Sequence, residues 1–284
     1  MKKLILSVAT AALLCSTTTL MAKTSAEVSK TAVTSATSNA QDSKVHVIKG
    51  AVEAVALTQK VLVDLDKKDT KSAIKDLEDA IGKLEVVLAS EKAPKLLPVD
   101  ASVTAMEYIG DVEQIKKSVK MVEDLLDDGK VQEARVLLDT LRSEIDVISV
   151  NLPVSSYPDA LKLAAKYLHE DKVDEAKAVL ATALSTLVEN VVIIPIPILK
   201  ADALIKASSA IAKTDKEQAL KHLAQAKIEL EKAKVLGYTS KSDVTYKALD
   251  EAIEKTEKEI KGKNKAEKLF EELINKLKSF KEKM

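Results

Sequence analysis

Four times along this chain an apolar residue is followed by a polar turn and, eight positions on, by an alanine that opens an apolar stripe at +4, +7 and +11. The runs are Leu65, Ala73, Leu77, Ala80, Leu84; Leu126, Ala134, Leu138, Leu141, Ile145; Leu168, Ala176, Leu180, Ala183, Leu187; and Ile211, Ala219, Leu223, Ala226, Leu230. Steps of three and four residues keep side chains on one face of an α-helix, so each run predicts helix, turn, helix. The turns carry helix-stopping residues: Asp66-Lys67-Lys68-Asp69, Asp127-Asp128-Gly129, Glu170-Asp171 and Thr214-Asp215. Glu133, Glu175 and Glu217 then fall in the first turn of the second helix, where the helix dipole favours negative charge. Alanine at the start of that helix lets two backbones approach closely. The expected fold class is therefore mainly α, a bundle of helical hairpins.

The second half of each run resembles the B helix of a tetratricopeptide repeat, and the turns are similar to those of that repeat. The key alanines, however, stand 61, 42 and 43 residues apart, whereas a regular array of that kind repeats every ~34 residues. The spacing favours related hairpins in a globular bundle over a solenoid. Three connectors interrupt the helical pattern: Leu96 to Val103, Asp146 to Pro153, and Val191 to Pro197. The first alternates in part, and the other two are β-branched and end in proline, which suits short strands with proline at an edge or an end. Each follows the second helix of a hairpin, so a small sheet and extended loops are both open readings.

The ends differ from the middle. Lys2-Lys3, the uncharged apolar run Leu4 to Leu14, and Ser16 to Ala22 have the order of a secretory signal peptide over residues 1–22. The apolar run is shorter than the ~20 residues that span a bilayer. Cys15, the single cysteine, lies inside that segment, so the cleaved chain is expected to hold no thiol. Residues 23–43 are rich in Ser, Thr and Ala and read as a mobile linker. Residues 44–238 form the expected helical domain, and 239–284 an extension dense in Glu and Lys. There Ala266, Phe270, Leu273, Leu277 and Phe280 follow a 4-3-4-3 seam, which suits either a docked hairpin or a short coiled coil.

Charge and composition exclude several functions. Lys+Arg and Asp+Glu both number 44, with no Trp, two Phe and five Tyr. Without a basic excess or stacking aromatics, nucleic-acid binding has no support. No apolar run after residue 22 suits stable membrane insertion. The three histidines, His46, His169 and His222, show no metal-ligand spacing. The six glycines form no phosphate loop or nucleophile elbow. Runs such as Glu123-Asp124 and Asp127-Asp128 are ordinary solvated helix faces. No catalytic residue, metal or cofactor is expected. The one polar group singled out is Asn151 with Tyr157, beside Pro153 and Pro158. It suits a shallow binding surface beside the sheet, or simple capping of the strand end and the next helix start.

The stretch from His46 to Tyr238 resembles the YfdX family of exported bacterial proteins. The residues that carry the likeness are Gly82 to Leu88, Leu97-Pro98-Val99-Asp100, Val131-Gln132-Glu133-Ala134-Arg135, Asn151-Leu152-Pro153 with Tyr157-Pro158-Asp159-Ala160, and Ile194-Pro195-Ile196-Pro197. The resemblance implies a mostly helical periplasmic protein associated with acid and heat stress, without established catalytic residues. The extension after Tyr238 departs from the family pattern. Two functions follow as expectations: a non-enzymatic stress protein that binds protein clients or a partner, with self-association compatible, or a small-molecule binding protein.

Overall fold

The structure is a computed structural model that describes residues 23–42, 47–89, 94–240, 244–262 and 266–281. Segment 1–22, read above as a signal peptide, lies outside the described residues, as do Cys15 and His46. The described chain is mainly α with one small sheet. In order come α1 (Ser25–Asp42), α2 (Lys49–Asp66), α3 (Thr70–Leu88), β1 (Leu96–Met106), α4 (Val112–Asp127), α5 (Val131–Thr140) and β2 (Glu144–Pro153). Then follow α6 (Tyr157–His169), α7 (Val173–Ser185), β3 (Val188–Pro195), α8 (Ile196–Ile211), α9 (Lys216–Val235), α10 (Val244–Lys261) and α11 (Glu267–Lys281).

The chain folds into two compact units that are interleaved in sequence rather than consecutive. The sheet unit takes the described residues of Ala40–Thr104 and Asp146–Val192. The tail unit takes the described residues up to Asn39, Ala105–Ile145, and those from Ile193 onward.

The sheet unit holds the hairpins α2–α3 and α6–α7, with α3 packed on α6 and α2 on α7. Its core runs through Ala51, Leu65, Leu77, Leu84, Leu161, Leu168 and Leu180, all nearly inaccessible. The first and third alanine positions, Ala73 and Ala176, are completely buried, as the close-approach argument requires. Gly50 marks a similar contact: a Cβ there would lie 2.6 Å from Val87 Cγ2 and 3.2 Å from the Lys83 carbonyl oxygen. Three connectors do form strands, in the order β1-β2-β3. The amide of Val154 donates to the Lys95 carbonyl at 3.0 Å, joining the end of β2 to the start of β1. That pairing is antiparallel. Pro153 and Pro195 are the last residues of their strands, where a missing N–H does not interrupt the ladder.

The tail unit holds α4–α5, α8–α9 and α10–α11. Helix α9 packs on α10, α8 on α11, and α4 on α9. The seam predicted in the extension is buried throughout, at Ala266, Phe270, Leu273, Leu277 and Phe280, in one cluster with Leu204, Leu223 and Leu230. Lys281 reaches Asp202 at 2.8 Å and Lys227 reaches Glu254 at 2.9 Å, so the extension is a docked hairpin.

The turns explain why the repeat recurs. In three of the four runs the third residue after the first apolar position is left-handed: Lys68 (φ 62°), Gly129 (φ 73°) and Asp171 (φ 56°). In each the next amide reaches back five residues, from Asp69 to Asp64 at 2.9 Å, Lys130 to Leu125 at 2.8 Å, and Lys172 to Tyr167 at 2.9 Å. This closes the helix end through a Schellman-type turn. The same bond, at 3.0 Å from Tyr238 to Ala233, ends α9 beside Gly237. The fourth run lacks it, since Asp215 donates to Ile211 at 2.8 Å instead. Side-chain caps then start the second helices at Asp69, which accepts from Ser72 N, and Asp215, which accepts from Gln218 N.

Two expectations change. Residues 25–42 form helix α1 where composition predicted a mobile linker. Thr24 and Glu27 bond reciprocally, the Thr24 amide to Glu27 Oε2 at 2.8 Å and the Glu27 amide to Thr24 Oγ1 at 3.3 Å. This is a capping box, and Val28 and Ser29 then turn inward, Ser29 to 8% exposure. The second run also departs from its pattern. Helix α5 ends at Thr140, so Ile145 falls in β2, and Leu126 and Leu138 are each 47% exposed. Their equivalents Leu65, Leu168, Leu77 and Leu180 are 4% exposed or less.

Candidate functional site

Asn151 and Tyr157 do not form a binding surface. Asn151 is 4% exposed, and its Nδ2 donates to Ser149 O (3.1 Å), Ser149 Oγ (3.2 Å) and Val188 O (3.2 Å). It tethers β2 to the first residue of β3. Tyr157 opens α6 with its ring in the core of the sheet unit, fully buried. Among the described residues its hydroxyl has no partner in hydrogen-bond geometry, Thr58 being the nearest polar neighbour. Thr58 lies alongside but donates to Ala54 O at 2.8 Å. Burial pushes the phenol up to about 12, with Thr58 opposing. Both residues are structural because the strand end and helix start that carry them turn into the core.

Of the histidines, His169 is exposed at the end of α6. His222 on α9 is 1% exposed and shares a 2.9 Å hydrogen bond, through Nδ1, with Ser25 Oγ of α1. Burial holds its imidazole below the usual range, with Asp215 opposing. Among the described residues no group of three His, Cys, Asp or Glu side chains converges as a metal site. No described helix is long and apolar enough to cross a membrane.

Three other features stand out. The first is β3 in the sheet unit. With the order β1-β2-β3 it is an edge strand, and Val188, Val191 and Val192 are 37%, 48% and 51% exposed. An edge strand presents unpaired backbone N–H and C=O groups, which proteins normally guard with proline, charge or a cover. The other edge, β1, carries Pro98 and Asp100 inside the strand, whereas β3 has Glu189 near its start and Pro195 only at its end, leaving Val191 and Val192 between them. The second is the α4–α5 hairpin, whose Met121, Leu126, Val136 and Leu138 are exposed.

The third is a cleft of about 520 Å³ in the tail unit, between α1 and the α8–α9 hairpin. Ser25, Ala26, Ser29, Lys30, Val33 and Thr34 line one side, and Lys200, Gln225, Glu229 and Glu107 the rest. Lys200 and Glu107 are ion-paired. Glu229, 4% exposed, accepts from Gln225 Nε2 at 3.0 Å and has Lys232 at 3.6 Å. Sequence reasoning missed this cleft because it set α1 aside as a linker; the Thr24-x-x-Glu27 spacing was the available signal.

A family model described as YfdX protein matches residues 54–192. Residues 54–192 are thus a YfdX segment. The matched span takes in α2 from Ala54, α3, the α6–α7 and α4–α5 hairpins, and β3 as far as Val192; α1 and α8–α11 lie outside it. Among solved structures, one of Salmonella Typhi YfdX is similar at 15% identity and a TM-score of 0.37, over 53% of this chain and 93% of that one. No curated protein matches the chain. The β3 edge thus falls within the YfdX segment, whereas every residue of the cleft except Glu107 falls outside it.

Proposed function

We propose that this chain is an exported, non-enzymatic protein of the bacterial periplasm that limits acid or heat damage by holding extended apolar segments of partly unfolded proteins. The observation that carries the holding role is the open β3 edge, with Val188, Val191 and Val192 exposed. A segment that has lost its own partners has free backbone groups and uncovered apolar side chains. Laid along β3, it gains a ladder of main-chain hydrogen bonds that does not depend on its sequence, and valine contacts that favour apolar residues. Low sequence selectivity is what a protector of many clients needs. Export is supported by the order of residues 1–22. The link to acid and heat rests on the YfdX segment.

The test is aggregation of a heat-labile client followed by light scattering. The unaltered protein is expected to suppress scattering near equimolar ratio, and Val191→Lys with Val192→Lys to lose most of that protection. Both side chains are half exposed, so the doubly substituted protein should keep its circular dichroism and melting temperature. Equal protection by that variant would remove the β3 role.

A second reading, a small-molecule binding protein, is favoured by the cleft under α1.

A further inference from the structure

We propose that the cleft between α1 and α8–α9 binds a small zwitterion, its cationic group against Glu229 and its anionic group against Lys30. The proposal deepens the small-molecule reading, rests on it, and is independent of client holding at β3. A buried carboxylate is costly unless compensated by hydrogen bonds and opposite charge. Glu229 is 4% exposed, yet its compensation is thin: one neutral amide from Gln225 at 3.0 Å, and an ammonium on Lys232 at 3.6 Å, beyond hydrogen-bond reach. On the α1 side of the same cleft, Lys30 forms no ion pair among the described residues. The remaining charges, Glu107 and Lys200, neutralise each other.

One under-compensated anion and one unpaired cation therefore line a single cleft, and a ligand with a charge of each sign answers both. Ser29 adds a hydroxyl without a partner among the described residues on a side chain 8% exposed. It can hydrogen-bond the ligand's anionic end beside Lys30. Ala26 and Val33 offer apolar contact for a short carbon skeleton. The lining sums to no net charge, which disfavours polyanions and polyamines, and it contains no aromatic ring on which a base or sugar would stack. A volume of about 520 Å³ suits a small molecule.

The test is isothermal calorimetry on the purified chain with free L-α-amino acids and glycine betaine as probes. Butylamine and butyrate serve as single-charge controls, and a broad thermal-shift panel runs alongside. At least one zwitterion should bind saturably at millimolar concentration or below, and neither control should. Glu229→Gln and Lys30→Gln should each weaken that binding about tenfold or more. Lys30 is exposed, so its variant reports on binding without a folding penalty. Absence of zwitterion binding, or binding untouched by both substitutions, would overturn the proposal. If the panel instead finds a singly charged or neutral ligand whose binding Lys30→Gln weakens, the zwitterion assignment fails and the small-molecule reading stands. A cleft that takes only water sinks both.

Discussion

Tyr157→Phe should leave stability within about 1 kcal/mol of the parent, while Tyr157→Ala should cost about 3–5 kcal/mol. The contrast follows from what each change removes. The ring is fully buried in the α2–α3/α6–α7 core, so alanine leaves a large cavity where packing cannot close. Among the described residues the hydroxyl has no partner in hydrogen-bond geometry, and its neighbour Thr58 already donates to Ala54 O. Deleting an unsatisfied buried polar atom removes a desolvation cost and strands no partner, so phenylalanine is neutral or mildly stabilising. Urea unfolding of the three proteins checks both statements. A loss of about 2 kcal/mol or more in the phenylalanine variant would mean that the hydroxyl has a partner, and would make Tyr157 a candidate polar site again.

The same exchange at Tyr238 should behave in the opposite way, with Tyr238→Phe costing about 2–4 kcal/mol. Here the hydroxyl has two partners in the tail unit. It donates to Glu144 Oε2 at 2.6 Å and accepts the Ser143 amide at 2.9 Å. Glu144 is 6% exposed and Ser143 2%, so neither can turn to water when the hydroxyl goes. Arg142 Nε, 2.6 Å from Glu144 Oε1, would be left to hold the carboxylate. Burial and the neighbouring carboxylate both push the Tyr238 phenol upward, so it remains a donor through neutral pH. A phenylalanine variant as stable as the parent would show that the Glu144 cluster is open to solvent.

What could be read in advance, and what could not, divides along one physical line. The hairpins were legible because Leu/Ala spacing reports directly on which helix face is buried. Ala73, Ala134, Ala176 and Ala219 are all completely inaccessible, as expected from their shared position. Strands β2 and β3 were suggested by β-branched runs ending in proline and β1 by partial alternation after Pro98, with extended loops equally open, and β3 begins at Val188, earlier than its apolar stretch suggests. Helix α1 was not legible from composition, because serine, threonine and alanine suit both a linker and a thin helix that buries only small side chains. Its capping box was the better guide.

The polar sites failed for a different reason. Asn151 and Tyr157 are close to prolines in sequence, but closeness in sequence does not say which way a strand end turns, and both turn inward. The cleft joins residues from α1, the loop after β1, α8 and α9, which lie far apart along the chain. No local period could bring them together. The exposed Leu126 and Leu138 make the same point in reverse: their spacing equals that of buried leucines elsewhere, and only the packing around α4–α5 decides their fate.

The direct measurement is backbone amide exchange across residues 188–192, with and without a permanently unfolded, reduced and carboxymethylated client. Strand addition would slow exchange at the outward-facing amides of β3 at least tenfold, with the slowing concentrated in that strand. A client that binds while β3 exchanges at its free rate, and protection arising instead along α4–α5, would contradict it.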